Sequence, residues 1–430
     1  MVLGRRPPGR QGSPRADTGA TAAVALIYSA ALAMESVLLP LLALAEHFSR
    51  PEIGFLTALS AVTQLLFRLG TAPAMRRYAD RRLVVAAALV LSVAALILTW
   101  SDALVFFVIS ELVQGAARGM FWTATQTHVV RSRTNAVNRM ATVNFVSSFG
   151  LLAGPPIAGV LAERSFTAAL DVAAGIGIVA AVLAGITMRR LPLFEAVTER
   201  RRKRLWSRPG VRAGCWAGVT AGSWRGLVNS YVPVALQQAS GSSAIVGVMV
   251  AVANGASIAG AGLVGTMRSR GRRWAFPVGI VAAGAGVAVF GFAAHAPILA
   301  AAALAASGIG AGMLQTLGPT AAAAAVGKEQ RGDAVAIAGS FRAGALFAAP
   351  IGTAGLLDVV GLSPALAIAG VLLALPTLSA LRTRLDDAPA RPVPVAEARA
   401  DAGGAGPTGD QPAGPAGAAG RGGMAASDSA

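Results

Sequence analysis

Residues 274–294 read WAFPVGIVAAGAGVAVFGFAA, a run of 21 residues without a charge. A helix of about 20 apolar residues crosses the roughly 30 Å hydrocarbon core of a bilayer. Residues 83–100 form a second uncharged run, of 18 residues. Only 13% of the 430 residues are charged, about half the share found in soluble domains. The chain is therefore predicted to be an all-α membrane protein.

Apolar runs between charged residues predict about 12 transmembrane helices. Each run is long enough, or nearly long enough, to cross the bilayer as a helix. The predicted helices cover residues 20–45, 52–72, 83–100, 103–127, 138–162, 167–188, 212–236, 243–266, 274–294, 297–325, 333–356 and 363–381.

The basic residues fall on one side of the predicted membrane. With a cytoplasmic N-terminus and alternating sides, cytoplasmic segments hold 31 of the 37 Lys and Arg, and external loops hold only Arg50 and Arg164. This asymmetry follows the positive-inside rule and predicts that both termini are cytoplasmic. Because the loops account for the net charge of +17, we expect a lipid bilayer with anionic headgroups as the partner, and no nucleic acid.

Composition divides the chain into two helical halves and three polar segments. Residues 1–19 are predicted to be a disordered cytoplasmic tail, and residues 20–188 the N-terminal six-helix half. Residues 189–211 are predicted to be a basic cytoplasmic linker, followed by the C-terminal six-helix half at 212–382. Residues 383–430 are rich in Ala, Gly and Pro, which predicts a second disordered cytoplasmic tail.

Four landmarks recur at one spacing and indicate that the halves are duplicates. The offset is 193 or 195 residues for Pro40 and Pro233, Gly70 and Gly265, Gly115-x-x-x-Gly119 and Gly308-x-x-x-Gly312, and Pro155 and Pro350. Two six-helix bundles in one orientation, related by a pseudo-twofold axis along the membrane normal, form a transporter architecture with its site at the interface.

Two further motifs carry a family resemblance. The predicted loop between helices 2 and 3 has a glycine followed by charged residues, namely Gly70, Arg76, Arg77, Asp80 and Arg81. Helix 5 has small residues and a proline at helical spacing, namely Gly150, Gly154, Pro155 and Gly159. With these motifs, residues 20–382 resemble the major facilitator superfamily of secondary transporters.

The resemblance implies a gating loop between helices 2 and 3 and, through helix 5, a likeness to the drug/proton antiporters. Two positions depart from the family pattern. Ala74 stands where the loop of the family has an acid, and Glu111 stands where helix 4 of many members has an arginine. The glycines of helix 5 allow close approach of helix backbones, and its prolines kink the helix, as a rocking interface requires.

Polar residues within the predicted helices are the candidates for chemistry. An ionised side chain inside a span costs at least ~2.5 kcal/mol, so such residues usually face a cavity. The candidates for proton coupling and the substrate cavity are Glu35, Glu111, Gln114, Arg118 and Arg225. Helices 1, 4, 7 and 10 line the cavity by the resemblance. A rise of 1.5 Å per residue places Glu35, Glu111 and Arg225 at similar depths, about 12–16 Å from the external side.

Our hypothesis is that Glu35 and Glu111 exchange protons while Arg225 or Arg118 offers a charge partner. Two ionised carboxylates close together in a low dielectric repel one another, so one of them is expected to bind and release a proton. The alternative is structural, with Glu35–Arg225 or Glu111–Arg118 as neutralising pairs that hold helices together.

Further cavity candidates are Trp122, Asn229, Gln315 and Arg342. Trp122 is equally compatible with a lipid-facing position. Arg342 is compatible with an ion pair or with binding of an anionic substrate. Arg68 lies near a helix end, where snorkelling is the simpler interpretation.

Function follows from the architecture and the helix 5 resemblance. We predict a secondary active transporter that works by alternating access, a proton-coupled efflux antiporter for drug-like or amphipathic compounds. The alternatives are a uniporter or symporter for sugars or organic acids and, in another class, a non-transporting receptor or scaffold with the same fold. The expected partners are a small-molecule substrate and protons, and we expect the chain to function as a monomer.

Several other functions lack a sequence signal. The chain has no GxxxxGK[ST] nucleotide loop, and His47, His128 and His295 have no metal-ligand spacing. We therefore predict no enzyme activity, no cofactor and no metal site. Two lysines against 35 arginines, with abundant Ala and Gly, are typical of GC-rich bacterial coding and predict an inner (plasma) membrane location.

Overall fold

A computed structural model of the chain describes residues 14–131, 136–189, 191, 193, 205–267, 269–327 and 330–377. Most of the predicted N-terminal tail, the centre of the predicted linker and the whole predicted tail at 383–430 lie outside the described residues. The described residues form the following elements: α1 (Pro14–Ala45), α2 (Arg50–Ala74), α3 (Asp80–Ile97), α4 (Leu104–Arg131), α5 (Ala136–Ala162), α6 (Phe166–Thr187), a 3-10 turn (Leu205–Ser207), α7 (Pro209–Asn229), α8 (Tyr231–Ser240), α9 (Ser243–Thr266), α10 (Ser269–Ala293), α11 (Pro297–Ala324), α12 (Arg331–Leu357) and α13 (Leu362–Ala374).

These helices form twelve transmembrane segments, as the sequence predicts. Among the described helices, nine are long and apolar enough to cross a membrane by length and composition. The other three segments are α3, the α7–α8 pair and the shorter α13. Several boundaries differ from the prediction by a few residues; for example, α1 begins at Pro14 and not at residue 20, and α10 begins at Ser269 and not at residue 274. Proline suits the first turn of a helix, and Asp17 in the same turn complements the helix dipole.

The seventh segment is broken, where the sequence predicts one helix at 212–236. α7 ends at Asn229 and α8 begins at Tyr231, with Ser230 between them at φ −114° and ψ −75°. Pro233 explains the break, because it has no N–H to donate and its ring collides with the carbonyl of Asn229, four residues earlier. The break lies beside the predicted cavity.

Helices alternate in direction, so each side of the bundle carries one set of helix ends. The side on which α1 begins is called here the N-terminal side, and the other is the opposite side. Helices α1–α6 form the N-terminal half and α7–α13 the C-terminal half. The halves pack together mainly through α5 against α9 and α2 against α12.

Close helix packing supports the predicted duplication. In the N-terminal half, a Cβ on Gly115 of α4 would collide with the carbonyl of Ser60 in α2. In the C-terminal half, a Cβ on Gly308 of α11 would collide with the carbonyl of Ala253 in α9. The glycine pairs that mark the sequence repeat therefore have the same packing role in both halves.

Candidate functional site

A polar chain joins the central parts of α1 and α4. Glu35 is 1% exposed, and its Oε2 accepts a hydrogen bond of 3.0 Å from Nε2 of Gln114. The amide oxygen of Gln114 in turn accepts from Nη2 of Arg118 at 2.9 Å. The i, i+4 spacing of Gln114 and Arg118 puts both side chains on one face of α4. Three of the predicted coupling residues therefore form one connected group, hereafter the α1–α4 cluster (Glu35, Gln114 and Arg118).

Glu111 lies on the same face of α4, one turn earlier. It is 4% exposed and lines the same small cavity as Ser60 of α2. One carboxyl oxygen of Glu35 and one of Glu111 are buried without a hydrogen-bond partner. An ionised carboxylate with an unpaired buried oxygen is costly, and protonation relieves that cost. Both glutamates are therefore placed where taking up a proton is chemically favourable.

The C-terminal half approaches this cluster through Asn229, the last residue of α7. Asn229 lines a polar cavity of about 10 Å³, room for no more than about one water molecule. Glu111, Gln114 and Arg118 form its α4 wall, and Ser36 and Pro40 form its α1 wall. The predicted cavity residue Asn229 thus meets the predicted coupling residues at the interface of the two halves.

Arg225 takes an amide and not a carboxylate as its partner. Its Nη1 donates to Oδ1 of Asn254 in α9 at 2.6 Å, and its guanidinium lies 4.8 Å from the ring centroid of Trp224. Asn254 also donates to the carbonyl of Leu151 in α5 at 3.2 Å. The side chain of Asn254 therefore connects Arg225 to α5 of the N-terminal half.

Arg342 also has an amide side chain as its hydrogen-bond partner. Its Nη2 donates to Oε1 of Gln315 in α11 at 3.1 Å. Gln315 in turn donates to Oγ of Ser257 in α9 at 3.2 Å. The two predicted cavity residues Gln315 and Arg342 are therefore in direct contact.

The predicted ion pairs are not formed in this structure. Among the described residues, no nitrogen–oxygen distance of 4.0 Å or less joins Glu35 to Arg225 or Glu111 to Arg118. Gln114 separates Glu35 from Arg118, and Asn254 occupies Arg225. Direct contact ion pairs are therefore absent between these residues in this conformation, and the structural alternative stays a prediction.

Trp122 does not join the polar residues. It packs edge-on against Phe121 with ring centroids 5.6 Å apart. Phe121 stacks on Tyr28 of α1, with centroids 3.5 Å apart. These contacts place Trp122 against the apolar core of the N-terminal half, and its cavity position stays a prediction.

The residues of the predicted gating loop separate in the structure. Gly70 lies inside α2 with open space around its Cα, and Arg76 and Arg77 are exposed. Arg81 donates to the carbonyl of Met188 at 3.2 Å. Asp80 is 1% exposed at the start of α3. Both Asp80 and Arg81 thus contact residues of their own half.

Asp80 belongs to a buried cluster that the sequence does not reveal, the histidine sandwich (Asp17, Asp80 and His128). Nδ1 of His128 lies 3.0 Å from Asp80 Oδ2, and Nε2 lies 3.1 Å from Asp17 Oδ2. With both carboxylates ionised, each accepts from one ring nitrogen, and His128 is the imidazolium. The backbone N–H of Arg189 also donates to Asp17, at 2.9 Å. The sandwich joins α1, α3, α4 and the end of α6 on the N-terminal side.

The glycines of helix 5 serve two different contacts. Gly150 and Gly154 face α1, where a Cβ would collide with the carbonyls of Leu26 and Ala30. Gly159 faces α9 of the other half, where a Cβ would collide with the carbonyl of Ser243. Pro155 lies against Gly247 of α9. The small residues of the motif therefore let α5 pack closely against both α1 of the N-terminal half and α9 of the C-terminal half.

Hydrogen bonds close the opposite side of the molecule across the two halves. Glu163, just after α5, accepts from the hydroxyl of Ser242 and from the backbone N–H of Ala244, the latter at 3.2 Å. Arg50 donates to Gln238 at 2.8 Å. The Ser242 hydroxyl, followed by the Ala244 N–H, holds the pKa of Glu163 below its usual range. This conformation is therefore closed on the opposite side.

Comparison with protein families settles the assignment. The family model described as Major Facilitator Superfamily matches the chain twice, at residues 21–224 and 214–417. The chain belongs to the major facilitator superfamily. The double match agrees with the two halves found in the sequence and in the helix packing. This superfamily protein is therefore a multi-span membrane transporter of a small molecule.

Solved structures share the fold at low sequence identity. A bacterial homologue of the human lysosomal transporter Spinster, in an inward-facing and occupied conformation, has a TM-score of 0.68 at 13% identity and covers 87% of this chain and 98% of its own. The nucleoside transporter NupG (D323A mutant) has a TM-score of 0.73 at 11% identity, covering 84% and 99%. A POT family transporter in complex with 5-aminolevulinic acid has a TM-score of 0.72 at 13% identity, covering 87% and 97%. A search of curated protein sequences gives no match.

Proposed function

We propose that this superfamily member is a proton-coupled secondary transporter, an efflux antiporter for drug-like or amphipathic compounds. The observation that carries the proposal is the buried Glu35, hydrogen-bonded to Gln114 on one oxygen and unpartnered on the other. A carboxyl group in this setting changes its interactions when it gains or loses a proton. It is therefore suited to couple proton movement to a conformational change.

Coupling requires that the proton site and the substrate site affect each other. Glu111, Gln114 and Arg118 line the same small cavity as Asn229 of the other half. Deprotonation of Glu35 or Glu111 strengthens attraction to Arg118, and protonation weakens it. A substrate that binds between the halves therefore competes with, or responds to, the proton on these glutamates.

The halves move relative to each other in alternating access, and helix 5 provides the sliding surface. Gly159 and Pro155 of α5 meet Ser243 and Gly247 of α9 with almost no side-chain volume between the backbones. Small residues at such a contact allow two helices to rock without a change in core packing. The closed opposite side and the helix 5 contact belong to one of the two end states.

Orientation and direction belong to the same proposal. The positive-inside rule assigns the N-terminal side, with its basic loops, to the cytoplasm. The opposite side, closed by Glu163 and Ser242, then faces outward. Efflux at a bacterial inner membrane driven by proton entry is consistent with this orientation, and its direction rests on the helix 5 resemblance.

A second candidate is a symporter or uniporter for organic acids, which the polar residues of the C-terminal half favour. Arg225 and Arg342 have amides and not carboxylates as hydrogen-bond partners.

A scaffold without transport activity has no use for ionisable residues inside its membrane spans, which are costly to keep.

The test is flux in proteoliposomes with an imposed pH gradient. The full chain is reconstituted, and movement of a panel of amphipathic compounds, sugars and organic acids is followed in both gradient directions. The proposal expects accumulation against the substrate gradient when protons flow the other way. Symport expects accumulation when protons flow in the same direction as the substrate. If no compound responds to the gradient in either direction, proton coupling is refuted.

A further inference from the structure

The arginines deep inside the spanning helices are not matched by carboxylates. Among the described residues they are Arg118, Arg225 and Arg342, whereas the acids at similar depth are Glu35 and Glu111. Three positive charges against at most two negative charges leave a surplus of at least one. Inside a membrane span, such a surplus is costly unless an opposite charge compensates it.

The surplus is concentrated in the C-terminal half. Arg118 lies with both glutamates in the N-terminal half and interacts electrostatically with each of them. Arg225 and Arg342, in contrast, have no carboxylate within 4.0 Å among the described residues, and their hydrogen bonds go to Asn254 and Gln315. An amide oxygen satisfies one N–H of a guanidinium but does not neutralise its charge.

Arg225 and Arg342 face the same region. Arg342 packs its backbone against Gly218 and Gly222 of α7, and Gly222 lies less than one turn before Arg225. The hydrogen bonds of both arginines lead to one face of α9, because Arg225 bonds Asn254 and Arg342 reaches Ser257 through Gln315. Asn254 and Ser257 are three residues apart, about one helical turn, and like charges at such neighbouring positions repel each other. Both side chains keep part of their surface accessible, whereas Glu35 is 1% exposed.

We propose that Arg225 and Arg342 form the binding site for an anionic group, a carboxylate or phosphate, of the transported compound. The inference rests on the proposed transport function and adds the charge of the substrate to it. Guanidinium groups bind carboxylates and phosphates through paired, charge-assisted hydrogen bonds. An anion between the two arginines removes their repulsion and supplies the missing negative charge. Asn254 and Gln315 hold the two guanidinium groups in position.

The test is ligand binding by the full chain, purified in detergent and followed by its Tm. The probes are benzoate, succinate, phenyl phosphate and inorganic phosphate, with benzamide and benzylamine as neutral and cationic analogues of benzoate. We expect at least one organic anion to raise Tm by about 2 °C or more at saturating concentration, and its neutral or cationic analogue to leave Tm unchanged. Binding of only neutral or cationic probes, or of none, overturns the proposal.

Variants locate the site. Arg225→Gln and Arg342→Gln should each weaken binding of the active anion about tenfold or more, since each removes a charge-assisted hydrogen bond. Arg164→Gln, an exposed arginine on the opposite side, should bind the anion as the unmodified chain does. Without ligand, Arg225→Gln and Arg342→Gln should keep or raise Tm, because they relieve repulsion and break no ion pair. Unchanged anion affinity in both variants contradicts the proposal.

An anionic lipid headgroup has the same chemistry as a phosphate-bearing substrate, and nanodiscs separate the two sources. The Tm is compared in phosphatidylcholine discs with and without phosphatidylglycerol. A rise caused by phosphatidylglycerol that is lost in Arg225→Gln assigns the site to lipid and overturns the substrate assignment. The binding assay uses no pH gradient, so its result does not depend on transport. If the protein transports a neutral compound under a pH gradient but binds no anion, this inference is refuted and the proposed function stands.

Discussion

Gln114 separates Glu35 from Arg118, accepting a hydrogen bond from the arginine at 2.9 Å and donating one to the carboxylate at 3.0 Å. An amide that is hydrogen-bonded to an acid and to a base couples the two groups. Its oxygen only accepts hydrogen bonds and its NH₂ group only donates them, so a change in one bond affects the other. A proton that arrives on the unpartnered Oε1 of Glu35 removes the negative charge, weakens the hydrogen bond that Oε2 accepts from Gln114, and thereby loosens the hold of Gln114 on Arg118. In the proposed function, this relay links proton binding to the cavity between the halves.

The relay predicts the effect of removing the amide. Gln114→Leu leaves a buried acceptor and a buried donor without their partner, and each costs about 1–3 kcal/mol. We expect a lower Tm and loss of gradient-driven transport. Thr123→Val on the same helix is the control, because the Thr123 hydroxyl bonds only the carbonyl of Gly119 one turn earlier. Full transport by Gln114→Leu argues against the relay.

The helix 5 contact predicts a steric effect on the closed state. In Gly159→Val, the new side chain collides with the carbonyl of Ser243, so α5 and α9 are forced apart on the opposite side. Spin labels at Asp102→Cys and Val359→Cys, in a Cys215→Ala background, report the separation of the halves there. We expect a longer distance in Gly159→Val. Gly175→Val is the matched control, because a Cβ at Gly175 meets nothing within 4 Å.

The contact of Glu163 with Ser242 and Ala244 predicts a pH dependence of the same distance. The pKa of Glu163 is lowered by these donors in the closed state, so the contact stabilises closure at pH values above the unperturbed pKa. The stabilisation is lost as the pH falls below the ordinary glutamate value of 4.5 and through the lowered pKa of the closed state. We expect a constant distance between pH 5 and 8 and a longer one under acid conditions.

Two variants check this assignment. Glu163→Gln, which cannot ionise, should show the weakened closure at neutral pH and no acid transition from this site. Glu46→Gln, also on the opposite side, should retain the behaviour of the unmodified chain. An acid transition of equal size in Glu163→Gln would show that another group controls closure.

The histidine sandwich predicts a large stability effect far from the cavity. His128→Phe removes the positive charge that lies between Asp17 and Asp80 and leaves two buried carboxylates without it. Removal of one member of a buried ion pair costs about 3–5 kcal/mol, so we expect a marked fall in Tm. His295→Phe, at an exposed histidine, should leave Tm unchanged. Addition of Asp17→Asn and Asp80→Asn to His128→Phe should recover part of the loss.

Much of the fold is predictable because membrane insertion imposes local rules. Uncharged runs such as residues 274–294 must form helices, and the 193-residue offset of Gly115 and Gly308 marks two equivalent packing contacts. The break at Ser230 also has a local cause in Pro233. These features depend on neighbours in the chain or on a repeat within it.

The site is only partly predictable because its partners come from distant helices. Glu111, Gln114 and Arg118 share a face by spacing alone. The partner of Arg225 is Asn254, 29 residues away, and His128 meets Asp17 across 111 residues. No local pattern encodes such contacts, and helix rotation decides that Trp122 packs in the core while Asn229 reaches the cavity.

The most direct test of proton coupling through Glu35 compares two kinds of flux in Glu35→Gln proteoliposomes. Glutamine keeps the size of the side chain and a hydrogen bond to Gln114 but cannot exchange a proton. Coupling through Glu35 predicts that substrate exchange without a gradient persists, while accumulation driven by a pH gradient is lost; Glu46→Gln should retain both. Gradient-driven accumulation by Glu35→Gln equal to that of the unmodified chain would contradict the assignment.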